Sequence, residues 1–240
     1  MITFDRKIYF DKVRVAPFGG SLNQEQVNGQ NFILASWERD PTTTDSRWLA
    51  YALATTLHET AKTMLPIEEF GKGKGRPYGK PDPVTGQTYF GRGFVQLTWR
   101  ENYAKADREL GLTGDKSCEW HAERALDPDT AADIMFKGMA EGWFRGDSKG
   151  RQTLLRYFDQ DTDDPFGARE IINGDKNIVP NWSDGKSIGK LIEEYHDDFL
   201  AALEASAIEV EPPPEPGPEP LVVKVRITAP AGVIVEVEQM

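Results

Sequence analysis

Residues 48–60 read Trp-Leu-Ala-Tyr-Ala-Leu-Ala-Thr-Thr-Leu-His-Glu-Thr, an apolar run that ends on a carboxylate, Glu59. A carboxylate is expensive to bury unless it is paired or has a chemical task. Glu59 stands at the mouth of a segment that otherwise reads as core, where burial favours the protonated acid. That suits a general acid, which must keep its proton until a leaving group needs it. The plainer alternative is a structural carboxylate bonded to backbone. Acid–base cleavage of a glycosidic bond needs a second carboxyl group, and in inverting enzymes the two stand about 6.5–9.5 Å apart with water between them. Glu68 and Glu69 follow in the next loop, and both qualify by residue type. Further on, Tyr89-Phe-Gly-Arg-Gly-Phe-Val-Gln-Leu-Thr98 is a glycine-hinged stretch ending in polar groups, suited to a substrate platform.

Other chemistries find little footing. His58 precedes Glu59, but residue 62 is Lys, so the pair does not open a His-Glu-x-x-His zinc motif. The three histidines, His58, His121 and His196, are scattered, and no metal site is expected. The single cysteine, Cys118, excludes an internal disulfide and has no activating neighbours. Gly71-Lys-Gly-Lys-Gly-Arg76 lacks the Gly-Lys-Ser/Thr ending of a phosphate loop and follows no buried strand. No Ser or Cys sits in a nucleophile-elbow context.

The elements that must position these residues read as helices. Apolar positions run almost all round the segment from Trp48 to Leu57, which places that helix at the centre of a domain. Thr44 or Asp45 can cap it. Before it, one short helix is expected over Asp5–Val13 and another from an Ser21 cap to Glu38. Residues 66–91, rich in Gly, Pro and Lys, read as a long irregular segment with a hairpin near Thr85-Gly86-Gln87, and long ordered loops tend to be functional. A helix is expected from Thr98 through Tyr103 to Leu110, stopped by Gly111. Asp127-Pro128-Asp129 opens another, carrying Ala131, Ala132, Ile134, Met135 and Met139 at helical spacing. Short helices follow over Arg151–Tyr157 and Phe166–Ile172, then a last amphipathic one over Ser187–Ala205.

The composition then changes. Residues 207–220 form a Pro- and Glu-rich linker, and 221–240 alternate apolar and charged residues as a β-hairpin-like tail. Because a lone two-stranded unit is marginal in water, the tail is expected to pack on the main domain or associate with another chain. With 39% hydrophobic and 10% aromatic residues, the 240-residue chain suits a globular domain spanning 1–206 plus this appendage. A net charge of −11 argues against nucleic acid as a partner. No apolar run is long enough for a membrane span. The N-terminus lacks the layout of a signal peptide, so synthesis in the cytoplasm is expected. Lys62, Lys72, Lys74, Arg76 and Lys80 nevertheless cluster after Glu59, a basic rim able to attract an anionic polymer or simply a set of solvated loop lysines.

Three blocks taken together, Leu57-His-Glu-Thr60, Tyr89–Thr98 with Asn102-Tyr103, and Arg169-Glu-Ile-Ile-Asn-Gly174, resemble the family 19 glycoside hydrolases over roughly residues 40–205. That family holds plant-type chitinases and chitinase-like phage and prophage endolysins. The N-terminal Phe18-Gly-Gly-Ser-Leu22 and the missing secretory signal look more like the phage and bacterial branch. The resemblance implies a mainly α, lysozyme-like fold with a deep cleft and a short C-terminal β segment added. It implies an inverting, metal-free mechanism without a cofactor. Glu59 matches the general acid, and Glu69 is the favoured base, with Glu68 as its rival. Thr98 matches the residue that helps hold the attacking water; Gln96, Asn102, Tyr103 and Asn173 match the substrate-binding set, in which Glu68 is also a candidate. The sequence departs from plant chitinases in lacking their disulfide cysteines and in its short, basic loop after Glu59. Peptidoglycan is therefore the expected substrate, with chitin as the alternative and a structural role docked through 221–240 as a third reading. An endolysin of this kind acts on the cell wall after release through a holin-like pore.

Overall fold

The computed structural model describes residues 2–40 and 44–209. The chain opens with a three-residue strand, β1 (Ile2–Phe4), and a helix, α1 (Arg6–Val15), capped by Asp5 through Ile8 N. The second helix, α2 (Gln24–Glu38), is capped by Asn23 and not by Ser21. Asn23 accepts from Gln26 N at 2.8 Å while the Gln26 side chain accepts from Asn23 N at 2.9 Å, a reciprocal box that Ser21 stands too far upstream to make. Asp45 caps α3 (Ser46–Glu59), and every residue from Leu49 to Leu57 is buried. The all-round apolar pattern thus marks the central helix, and Glu59 is its last residue.

Beyond α3 the chain forms β2 (Ile67–Glu68), which pairs antiparallel with β3 (Arg92–Gly93). The segment between them is more regular than its composition suggests. A succession of backbone turns runs to a 3-10 turn at Pro77–Gly79, and Asp82 N donates to Gln87 O at 2.8 Å to close the turn expected near Gly86 without forming strands. Then follow α4 (Arg100–Leu110), ended by Gly111 as expected, and α5 (Pro128–Glu141), capped by Asp127. A small hairpin, β4 (Gly146–Asp147) with β5 (Gly150–Arg151), leads to the one-turn helices α6 (Leu154–Tyr157) and α7 (Pro165–Ala168). The last long helix is α8 (Ile188–Ser206).

The core forms where these helices face α3. Leu49, Leu53 and Leu57 of α3 share one buried cluster with Ile192, Phe199 and Leu203 of α8, the helix it packs against most, and with Tyr9 and Val13 of α1, Ile33 of α2 and Met135 and Met139 of α5. After α8 a strand, β6 (Ala207–Glu209), pairs antiparallel with β1, Phe4 opposite Ala207. The domain therefore runs through residue 209, past the expected boundary at 206, because Phe4 buries its ring and the strand beside it needs a partner. The rest of the expected linker and the tail at 221–240 lie outside the described residues.

Candidate active site in a cleft beside the central helix

Glu59 opens onto a cleft of about 460 Å³ whose walls include Tyr78, Gln96, Thr98, Trp99, Asn102, Phe144, Ile172 and Asn173. The fold thus brings four of the expected residues, Gln96, Thr98, Asn102 and Asn173, to the same cavity as Glu59. Two of them, Gln96 and Thr98, come from a single turn, and Asn102 follows in the first turn of α4. Gln96 and Trp99 both have positive φ, +53° and +74°, on either side of Thr98. Such backbone strain persists only where the surroundings hold it. Here Leu97 N donates to Arg92 O at 2.8 Å, Trp99 N to Tyr89 O at 2.9 Å, and the Gln96 amide to Ile67 O at 3.1 Å. Gly91 permits this: a Cβ there would stand 2.9 Å from Gln96 Oε1. Thr98 donates its hydroxyl proton to Gln96 O at 2.8 Å and Asn102 donates to Thr98 O at 2.7 Å, so the Thr98 oxygen keeps its lone pairs for a bound water or hydroxyl.

The surroundings of Glu59 differ from the apolar pocket that the sequence suggests. Arg169 Nη1 lies 2.5 Å from Glu59 Oε1, and the Arg169 side chain is only 2% exposed. The same guanidinium holds Asp175 in a two-pronged pair, Nε to Oδ1 at 2.6 Å and Nη2 to Oδ2 at 3.0 Å. Asn173 donates to Asp175 Oδ2 at 2.9 Å, so a cleft-wall residue is tied through Asp175 and Arg169 to the acid. Burial opposes the charge on Arg169, but Glu59 and Asp175 outweigh it and hold the guanidinium pKa above its ordinary value. Among the described residues nothing donates to Glu59 Oε2, so this oxygen is the one available to a ligand. Next to it, burial lowers the pKa of His58 and keeps the imidazole neutral at pH 7. Arg169 was legible only as part of a block, and Asp175 stands one residue beyond its end. The signal was an arginine between Ala168 and Ile171-Ile172, an apolar setting that requires a partner for its charge.

The two rival carboxylates separate clearly. Glu69 accepts from the Tyr78 hydroxyl at 3.3 Å and from Gly91 N at 3.1 Å, and Tyr78 is itself a cleft wall. Burial, and then Glu69, raise the Tyr78 pKa, so the phenol stays a donor. Glu68 points into an ion pair, with Lys72 Nζ at 2.5 Å and Arg92 Nε at 3.7 Å. Neither carboxylate reaches the cleft wall, and Glu69 is one side chain removed from it. Glu68 has the role of a structural ion-pair partner, which corrects its place in the substrate-binding set. Tyr103 needs the same correction. It is wholly buried, donates to Phe90 O at 2.7 Å, and accepts from Arg92 Nη1 at 3.1 Å. Its position on the inward face of α4 sends the ring to the core, while Asn102, one residue earlier, faces the cleft.

The architecture has counterparts among solved structures. Chitinase C from Streptomyces griseus HUT6037 superposes with a TM-score of 0.52 at 19% identity, covering 85% of this chain and 93% of that one. A mutant of chitinase C gives 0.51 at 18% identity, over 84% and 92% of the two chains. A structure described as a bacterial family 19 chitinase gives 0.43 at 18% identity, over 83% and 94%. No family model matches the sequence, and a comparison with curated proteins finds no match. The chain therefore has a mainly α, lysozyme-like fold of the kind seen in chitinase C, the fold class that the three sequence blocks implied.

Proposed function

We propose that the protein is a glycoside hydrolase that cuts the β-1,4 links between amino sugars of peptidoglycan with inversion at the anomeric carbon. The observation that carries this reading is the convergence of Glu59 with Gln96, Thr98, Asn102 and Asn173 on one cleft. Amides and a hydroxyl can both donate and accept, as a hydroxyl-rich sugar requires. In the reaction, Glu59 gives its proton to the glycosidic oxygen as the bond to the anomeric carbon breaks. Water attacks that carbon from the opposite face and loses its proton to Glu69, with the Thr98 oxygen orienting the water. Glu59 is left as a carboxylate, and Arg169, already aimed at Oε1, stabilises the charge as it develops. Tyr78, a cleft wall, donates to Glu69 and links the base to the site.

Peptidoglycan is preferred over chitin because of the basic loop beside a cleft-wall tyrosine, the absence of the plant enzymes' disulfide cysteines and the N-terminal Phe18-Gly-Gly-Ser-Leu22, which looks more like the phage and bacterial branch. On this reading the protein acts at the cell wall. The likeness to chitinase C favours chitin as the second reading. Mass spectrometry of digested peptidoglycan tests the choice: new reducing ends on N-acetylmuramic acid are expected. Intact peptidoglycan together with chito-oligosaccharides released from chitin would install the second reading. Glu59→Gln should remove activity by at least a factor of about 10²–10⁴ while leaving the fold intact. A variant that retains most of its rate would remove Glu59 from the role of acid.

A further inference from the structure

The loop from Gly71 to Lys80 carries four cations, Lys72, Lys74, Arg76 and Lys80, and no acid, in a chain whose net charge is −11. It is an ordered structure. Lys72 N donates to Glu69 O, Lys74 N to Gly71 O, and Arg76 N to Gly73 O, each at 2.9 Å, so the backbone advances in closed turns. Two glycines lock it: a Cβ on Gly79 would stand 2.1 Å from Gly73 O, so the two backbones touch where no side chain fits. Lys72, Lys74, Arg76 and Lys80 are all exposed. Lys72 is engaged by Glu68, but Lys74, Arg76 and Lys80 make no ion pair among the described residues. Between Arg76 and Lys80 lies Tyr78, whose ring packs edge-on against Trp99 at 5.0 Å and forms part of the cleft wall. The loop therefore carries three exposed cations, without ion pairs among the described residues, on either side of a tyrosine that lines the cleft.

A neutral amino-sugar polymer has nothing to offer them. Fixed cations at the mouth of a site in an otherwise acidic protein raise the local concentration of an anionic substrate and offset the repulsion of the remaining surface. We propose that Lys74, Arg76 and Lys80 are specificity-determining residues that bind carboxylate groups carried on the glycan strand, those of the peptide stems in peptidoglycan. This inference rests on the hydrolase reading above, and it assigns the discrimination between a charged and a neutral polymer to this loop. Arg76, with its planar fork, can hold a carboxylate through two parallel hydrogen bonds, while the lysines act as point charges.

The test compares wild type with the Lys74→Gln/Arg76→Gln/Lys80→Gln variant on two substrates: insoluble peptidoglycan, and the same material with its carboxylates converted to neutral amides. Each exposed ion pair is modest, so a combined rise in KM of about tenfold on native peptidoglycan is expected at low salt, with kcat retained. The difference should shrink as added salt screens the charges. On the amidated substrate the two proteins should coincide. An equal loss on both substrates, or no loss on the native one, would overturn the assignment. Sedimentation of the Glu59→Gln protein with the two materials, with and without the loop substitutions, supplies a readout independent of turnover. If wild type cuts neither material, the hydrolase reading fails. The loop assignment then stands or falls on whether the loop substitutions weaken binding to the native material alone.

Discussion

Arg169→Gln tests the most consequential contact in the site. The wild-type guanidinium is 2% exposed and lies between two carboxylates, Glu59 at 16% and Asp175 at 21% side-chain exposure. Glutamine is neutral and shorter, so the substitution leaves two largely buried carboxylates facing a site with no countercharge. Removing one partner of a buried pair costs about 3–5 kcal/mol, mostly because the remaining charge stays buried. For a domain of this size each kcal/mol moves Tm by about 2–4 °C, so a fall of about 6–20 °C is expected. The folded-state pKa of Arg169 is raised, so its own contribution is fully present below the unfolded value and is lost only as pH rises through the folded value, above any assay pH. Arg169→Lys should fall between wild type and Arg169→Gln, since an ammonium keeps the charge but not the fork that spans both acids. A Tm within about 2 °C of wild type would refute the claim that Arg169 holds the site together.

Four further outcomes follow from the same contacts. Glu69→Gln should abolish turnover while Glu68→Gln retains it and loses only part of the Lys72 and Arg92 pairing, with initial rates on peptidoglycan deciding between them. Tyr103→Phe should lower stability by about 1–3 kcal/mol in denaturant titrations, because it strips a partner from Phe90 O and from Arg92, and should leave kcat unchanged. His196 stacks on Phe158 at 5.4 Å, and burial lowers its pKa below the usual histidine value. The unfolded chain therefore takes up this proton first, stability is lost as pH falls below about 6.5, and His196→Phe should flatten the fall in Tm between about pH 7 and about pH 5.

How far the sequence reveals the fold depends on what kind of signal each element carries. The central helix was legible to its last residue because nine successive buried positions leave no polar face to mislead, and Asp45 provides a cap in the right place. The cap of α2 was misplaced to Ser21 because a serine before a helix is a common cap. The decisive signal, a glutamine three residues after Asn23 that returns the hydrogen bond, is a pair and not a single residue. The end of the domain was placed too early for a related reason. Residues 207–209 show no strand pattern of their own, and what makes them a strand is β1, at the other end of the sequence. The irregular reading of 66–91 holds apart from the two residues of β2 and the 3-10 turn at Pro77–Gly79, and the order of its turns comes from backbone and glycine contacts that composition does not register.

The site divides along a comparable line. Gln96, Thr98, Asn102 and Asn173, named through the family resemblance, reach the cleft because turns and helix faces set their direction locally. Tyr103 misled because one residue on a helix separates the cleft face from the core face, and an aromatic with a hydroxyl suits either. Arg169 and Asp175 escaped because their meaning depends on Glu59, more than a hundred positions away, and only the fold brings the three together. That pairing ties Glu59 Oε1 to a buried guanidinium, while Oε2 has no donor among the described residues and Glu59 lines the cleft. On the proposed reading one oxygen is anchored to the protein and the other is offered to the substrate, and Asn173, held by Asp175, sets the sugar against the acid.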